Sequence, residues 1–316
     1  MNTIKRTFSL LLALAVLFLA GCSGKNSGAA DQSAPPIQPP SQAASAPVLP
    51  SPSSSPEPAE PEIIEMDWSA YFDGMAGAAV LYDPTQNCYQ IYNQELANTR
   101  RSPCSTFKIV SSLIGLENHI ISPENSLKKW SGEIFWNEDW NQDLSFEQAF
   151  RASCVWYFRE LIDEIGADAI QEGLDALQYG NCDISDWAGR QNTNNNNPAL
   201  TGFWIESSLK ISPKEQTEVM SRIFGGESAY SEQALRQLEQ AMRIEQEGEA
   251  GPAIYGKTGM GKDSGVVVDA WFTGFADMGG RRVYFCVYLG ESPGKDVSSK
   301  KAREIAIQIV SDCAEE

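Results

Sequence analysis

A serine and a lysine three residues apart open the stretch "SPCSTFKIVSSLIGLENHI", where turn and cap residues give way to apolar residues at helical spacing. On a helix, Ser105 and Lys108 share one face. The serine sits near an N-terminus, where unpaired N–H groups and the helix dipole favour developing negative charge. A lysine facing a core is costly unless it is used there, and burial lowers its pKa toward a neutral amine that can take a serine proton. That is nucleophile activation without histidine. Taken alone, the same pattern also describes a capping serine with a lysine turned to solvent.

Two further stretches supply partners. In "SCV", Ser153 is flanked by helix-forming sequence and can relay a proton between a substrate's leaving nitrogen and Lys108. In "YGKTGMG", Lys257 and Thr258 offer a cation and a hydroxyl to an anionic substrate, and Gly259 lets a ligand approach the strand edge. Each has an ordinary reading as a turn or strand end. The order and wide spacing of all three are much harder to obtain by chance.

The rest of the chain narrows the chemistry. It holds a single histidine, His119, expected as a capping or surface residue at a helix end, so a zinc hydrolase or a Ser-His-Asp triad has almost nothing to use. The seven cysteines show no metal-like spacing. Cys104 and Cys154 each adjoin one of the serines, and sequence does not say whether they pair. The formal net charge of −18 argues against a nucleic-acid partner.

Residues 1–21 carry Lys5 and Arg6, then an apolar run ending in "LAGC", a secretory signal too short for a comfortable membrane span. The ending resembles a bacterial lipobox, which implies cleavage before Cys22 and lipidation of that cysteine, with the domain held outside the cytoplasmic membrane. Residues 22–62 are rich in proline, serine and alanine, too poor in large apolar residues to fold, and read as a flexible tether. Residues 63–316 are globular in composition.

In that domain "GAAVLYDPTQNCYQIYN" reads as a hairpin, a helix follows from about Ser105 to Asn118, and "LSFEQAFRASCVWYFRELIDEIGADAIQEGLDALQYG" is helical with a break near "RASC". "NCDISDWAGRQNTNNNNPALTG" is a long polar loop of the kind that is often functional. Two amphipathic helices, a three-strand antiparallel run from "AIYGKTGMG" through a turn at "MGGRR", and a terminal helix with Ile305, Ile309 and Val310 inward complete the chain. The expected fold is α+β: one antiparallel sheet flanked by helices, with a mainly helical lobe inserted.

"STFK", "SCV", "YGN" and "KTG" stand in the order found in class D, oxacillinase-type serine β-lactamases, and the resemblance runs from about residue 71 to the C-terminus through "VLYD", "IYNQELANTRRSPCSTFKI" and "FWIESSLKISPKEQ". It implies a serine β-lactamase/transpeptidase-like fold and hydrolysis of a β-lactam substrate, with no metal and no separate cofactor. Ser105 would be the nucleophile. Lys108 would carry a carbamate derived from CO2 as general base, and Trp204 would hold that carbamate through its indole N–H. Val155 and Ile205 would wall the lysine. Ser153 and Lys257 would relay protons, and Thr258 would bind the substrate carboxylate. The backbone N–H groups of Ser105 and Met260 would form the oxyanion hole, with Tyr179, Gly180 and Asn181 mainly structural. Lys300, Lys301 and Arg303 all stand near the place of a carboxylate-binding base. A β-lactam sensor that stays acylated shares these motifs, although such sensors normally follow several membrane spans. A penicillin-binding protein shares them too, but Trp204 favours the carbamate chemistry. A non-catalytic binding protein would have no use for all these positions together.

Overall fold

Residues 60–245 and 251–315 are described by the computed structural model. The expected signal peptide, the expected lipid site at Cys22 and the expected tether as far as residue 59 lie outside the described residues. The first hairpin forms as its sequence demands: β2 (Gly77–Asp83) and β3 (Cys88–Tyr92) pair antiparallel. Asp83 closes the turn by accepting from the N–H groups of Thr85 and Gln86 at 2.8 and 3.3 Å. Later come β4 (Ala253–Asp263), β5 (Val266–Asp277) and β6 (Arg282–Gly290), the expected antiparallel run. Among the described residues the sheet order is β1-β3-β2-β6-β5-β4, so β4 is an edge strand.

The outer strand β1 (Glu62–Glu65) departs from expectation in two ways. It begins at Glu62, which the sequence assigns to the tether, and it pairs parallel to β3 in a sheet otherwise antiparallel. Its four side chains are all exposed, so it is held by backbone bonds and leaves no apolar periodicity to detect.

Helices follow in chain order: α1 (Ser69–Phe72), α2 (Gln94–Ala97), α3 (Lys108–Glu117), α4 (Phe146–Arg151), α5 (Val155–Ile165), α6 (Ala167–Leu177), α7 (Pro213–Phe224), α8 (Glu232–Met242) and α9 (Ser299–Glu315). The break near "RASC" separates α4 from α5, and a second break, at Gly166 with φ of 86°, separates α5 from α6. On one face of the sheet α9 buries Ile305, Ile309 and Val310 against Phe272, Phe285 and Val287. The helical lobe covers the other face with a larger core that includes Phe107, Phe158, Trp204 and Phe275. Every residue of α3 from Lys108 to Leu116 is buried, so this helix runs through the core and carries a lysine with it.

Candidate active site

Ser105 does not open the α-helix, as the sequence suggests. It lies in a tighter 3-10 turn, Cys104–Phe107, and α3 begins at Lys108. Pro103 causes the difference: its carbonyl accepts from Thr106 N–H at 3.1 Å and from Thr106 Oγ1 at 2.7 Å, which closes an i→i+3 ring. The spacing still serves, because Lys108 Nζ donates to Ser105 Oγ at 2.9 Å.

Lys108 is 1% exposed and its amine lies 5.2 Å from the centre of the Phe158 ring. Burial lowers its pKa from 10.5 to about 8. Cys104 and Cys154 would raise it again only as thiolates. Burial pushes both thiols up to about 12, so they stay protonated and leave the lysine without a counter-charge. They are free thiols, not a disulfide.

Ser153 occupies the turn between α4 and α5 with φ of 54°, the left-handed conformation usually given to glycine. Its oxygen accepts from Lys257 Nζ at 3.1 Å. Lys257 rises from the edge strand β4, is 5% exposed, and also donates to Thr258 O and Oγ1 at 3.1 and 3.3 Å. Burial lowers its pKa well below the usual lysine range, and the charge of Lys108 lowers it further. Among the described residues neither amine has a carboxylate partner, so nothing offsets the burial that lowers both pKa values.

Two glycines let β4 lie against the nucleophile turn. A Cβ on Gly259 would stand 2.9 Å from Pro103 O and 3.0 Å from Thr106, and one on Gly261 would stand 2.9 Å from Cys104 Sγ. Gly259 therefore clears room for Pro103 and Thr106 on either side of the serine, where the sequence suggested room for a ligand. Met260 between them is 40% exposed at the rim.

Trp204 sits on the turn facing this pair. Its carbonyl accepts from Cys104 N–H at 2.9 Å and from Ser102 Oγ at 3.1 Å, which ties it to the residues just before Ser105. The indole is fully buried, tilted against Phe107, with the Arg159 guanidinium 5.2 Å from its centre. Its Nε1–H is buried with no hydrogen-bond partner among the described residues. Such a donor costs about 1–3 kcal/mol while unmet. The neighbouring α5 residues link the two groups, Phe158 meeting Lys108 and Arg159 meeting Trp204. Val155 and Ile205 are half-buried against the same core.

Tyr179, Gly180 and Asn181 brace the region from behind. Tyr179 packs edge-on to Phe107 at 5.7 Å, and the Asn181 side chain donates to Ser208 O and accepts from Lys210 N–H at 2.9 and 2.8 Å. Gly180 has φ of 54°, and a Cβ there would stand 2.0 Å from Lys210 O. Gly180→Ala is expected to destabilise the fold by about 2–4 kcal/mol, read as an equilibrium denaturation midpoint. An unchanged midpoint would show that the turn relaxes freely.

Beyond Thr258 opens a cleft of about 270 Å³ lined by Phe150, Arg151, Arg243, Lys257, Thr258 and Arg303 among others. Arg303 faces the cleft, whereas Lys300 and Lys301 lie toward Glu304 at 3.9 and 3.6 Å. Arg151 and Arg243 had no sequence signal, being isolated arginines brought together by the fold. His119 is exposed just beyond the end of α3 and takes no part.

The profile of the penicillin binding protein transpeptidase domain matches residues 76–311. Regulatory protein BlaR1 of Bacillus licheniformis is 30% identical over 247 residues, covering 77% of this chain and 38% of that protein. The chain thus spans only about two fifths of that regulatory protein's length. Beta-lactamase OXA-1 of Escherichia coli is 32% identical over 246 residues, 77% of this chain and 86% of the other. The solved class D β-lactamase of Bacillus subtilis superposes with a TM-score of 0.65 at 30% identity, over 78% of this chain and 95% of that one. With Ser105, Lys108, Ser153 and Lys257 gathered as described, the chain belongs to the penicillin-binding transpeptidase family, among relatives that include class D β-lactamases and the regulatory protein BlaR1.

Proposed function

We propose that this chain is a class D serine β-lactamase that hydrolyses β-lactams through an acyl-enzyme on Ser105, with a carboxylated Lys108 as its general base. The observation that carries this reading is the buried N–H of Trp204, without a partner among the described residues, in the same core as a lysine whose pKa burial lowers to about 8, bringing the neutral amine within reach. A neutral amine is the form that adds CO2, and the resulting anion needs a buried donor. The residues present therefore fit such a group. Bound there, it would supply anionic oxygens able to take a proton. It would also reverse the sign of the charge facing Lys257, favouring the ammonium that an anionic substrate requires.

Ser105 Oγ attacks the β-lactam carbonyl as its proton passes to the side chain of Lys108. The C–N bond opens, and Ser153 delivers a proton to the ring nitrogen, aided by Lys257. The N–H groups of Ser105 and Met260 hold the carbonyl oxygen. Thr258 and Arg303 meet the substrate carboxylate. Val155 and Ile205 govern the entry of the water that cleaves the ester and frees Ser105. In the cell the domain would stand outside the cytoplasmic membrane, held by lipid on Cys22.

The likeness to BlaR1 favours a second reading, a β-lactam receptor that is acylated and not released. A time course with a chromogenic β-lactam in bicarbonate buffer separates the two. Product far in excess of enzyme is the expected result. A burst equal to the enzyme followed by a plateau would overturn the hydrolase reading in favour of the receptor.

A further inference from the structure

Glu206 lies two residues beyond Trp204 with φ of 53°, a left-handed conformation that a non-glycine residue keeps only when its surroundings hold it there. Three hydrogen bonds do so. Its N–H donates to Ser102 Oγ at 2.8 Å, the same hydroxyl that donates to Trp204 O. One carboxylate oxygen accepts from Lys262 N–H at 2.6 Å, and the other accepts from Asn194 Nδ2 at 2.6 Å.

The Lys262 contact falls at a particular place. β4 loses register with β5 between Gly261 and Lys262, and such a bulge leaves backbone groups without ladder partners. Glu206 takes the N–H of Lys262. Asn194 takes its carbonyl, donating from Nδ2 at 2.6 Å, while Asn194 Oδ1 accepts from Ser264 N–H at 2.9 Å. The long polar loop thus reaches the active site through one asparagine. The irregular end of β4, two residues beyond Met260, is fastened to the turn that carries Trp204.

We infer that Glu206 is a positioning residue for acyl transfer: its carboxylate sets the Met260 stretch of β4 and the Trp204 turn at a fixed distance from Ser105. This rests on the serine-hydrolase reading above. The clamp joins the two halves of the chemistry, the oxyanion donor on β4 and the indole that serves Lys108, and it acts on both without touching substrate. Shape alone does not replace it. In Glu206→Gln a donor replaces one of the two acceptors: facing Asn194 it leaves an Nδ2 hydrogen without an acceptor, and turned the other way it faces Lys262 N–H. Turning the asparagine over would set an oxygen against Lys262 O and a donor against Ser264 N–H.

The test uses full chains: native, Glu206→Gln, Glu206→Ala and Asn194→Ala. The acylation rate constant is read with a fluorescent penicillin, and the bicarbonate concentration for half-maximal turnover with a chromogenic β-lactam. Melting curves fix a temperature at which every chain is folded. Glu206→Gln is expected to acylate roughly 10-fold more slowly and to need several times more bicarbonate, since small misplacements near a reacting centre carry large rate effects. Glu206→Ala should be worse, and Asn194→Ala intermediate because the Lys262 bond survives. Native acylation and native bicarbonate demand in Glu206→Gln would overturn the inference. So would losses that disappear once both chains are compared well below their melting temperatures, which would leave Glu206 a structural residue only. If the native chain acylates without turning over, the hydrolase reading fails separately, and the acylation rates still decide the role of Glu206. Absence of acylation in the native chain would sink both.

Discussion

Replacing Lys108 by alanine is expected to lower turnover about 10²–10⁴-fold, the usual worth of a well-placed general base, with more loss in release of the acyl group than in substrate recognition. Among the described residues no histidine or free carboxylate stands ready to replace it. The single histidine is exposed past α3, and the Glu206 carboxylate is committed to Lys262 N–H and Asn194. Intact-protein mass spectrometry after brief exposure to a penicillin should find Lys108→Ala largely acylated while the native chain has returned to its free mass. Trp204→Phe makes the paired control. It removes the N–H along with part of the ring packed on Phe107, Phe203 and Arg159, so it should slow release while keeping the lysine, and added bicarbonate should restore part of the loss. Bicarbonate should restore nothing to Lys108→Ala. Full turnover by either variant would rule out the carbamate.

The serine–lysine pair was legible in the sequence because i and i+3 meet in a 3-10 turn as well as in an α-helix. The contact therefore survives the error in where α3 begins. The hairpin of β2 and β3 and the run β4 to β6 were legible through alternation and turn residues. β1 was not, because exposed side chains on a backbone-paired strand carry no pattern. The second break, at Gly166, was missed because a single glycine inside a helical pattern is usually tolerated. Resemblance supplied Trp204 and the role proposed for it, but that its N–H lacks a partner among the described residues is a fact of packing alone. Arg303 was named among three bases without a choice between them, and Glu206 was not named at all, for one shared reason. Their importance lies in what they face, Thr258 for one and Lys262 and Asn194 for the other, across separations of many residues. Local periodicity has nothing to say about such contacts.

Lys108→Met is expected to make the protein more stable, and the pH and CO2 dependence of that gain test the site without any substrate. Unfolded, the lysine titrates near 10.5, and folded, near 8. Between those values the unfolded chain binds a proton that the native chain does not, so native stability rises with pH. Below pH 8 both states are protonated and the native protein carries the full penalty, about 3 kcal/mol by the free-energy equivalent of the pKa drop. Losing the bond to Ser105 returns about 1 kcal/mol, so Lys108→Met should gain about 2 kcal/mol at pH 7 in CO2-free buffer. The gain should shrink above pH 8 and be gone by about pH 10.5. Bicarbonate should narrow it at fixed pH, because a group that adds only to the folded lysine stabilises the native chain and has no place to add in the methionine variant. Denaturant midpoints that respond to bicarbonate equally in both chains would refute carboxylation of Lys108, and a methionine variant no more stable than native would refute the cost of its burial. The two effects share one origin: the apolar surroundings that make Lys108 a burden as an ammonium keep its amine free to react.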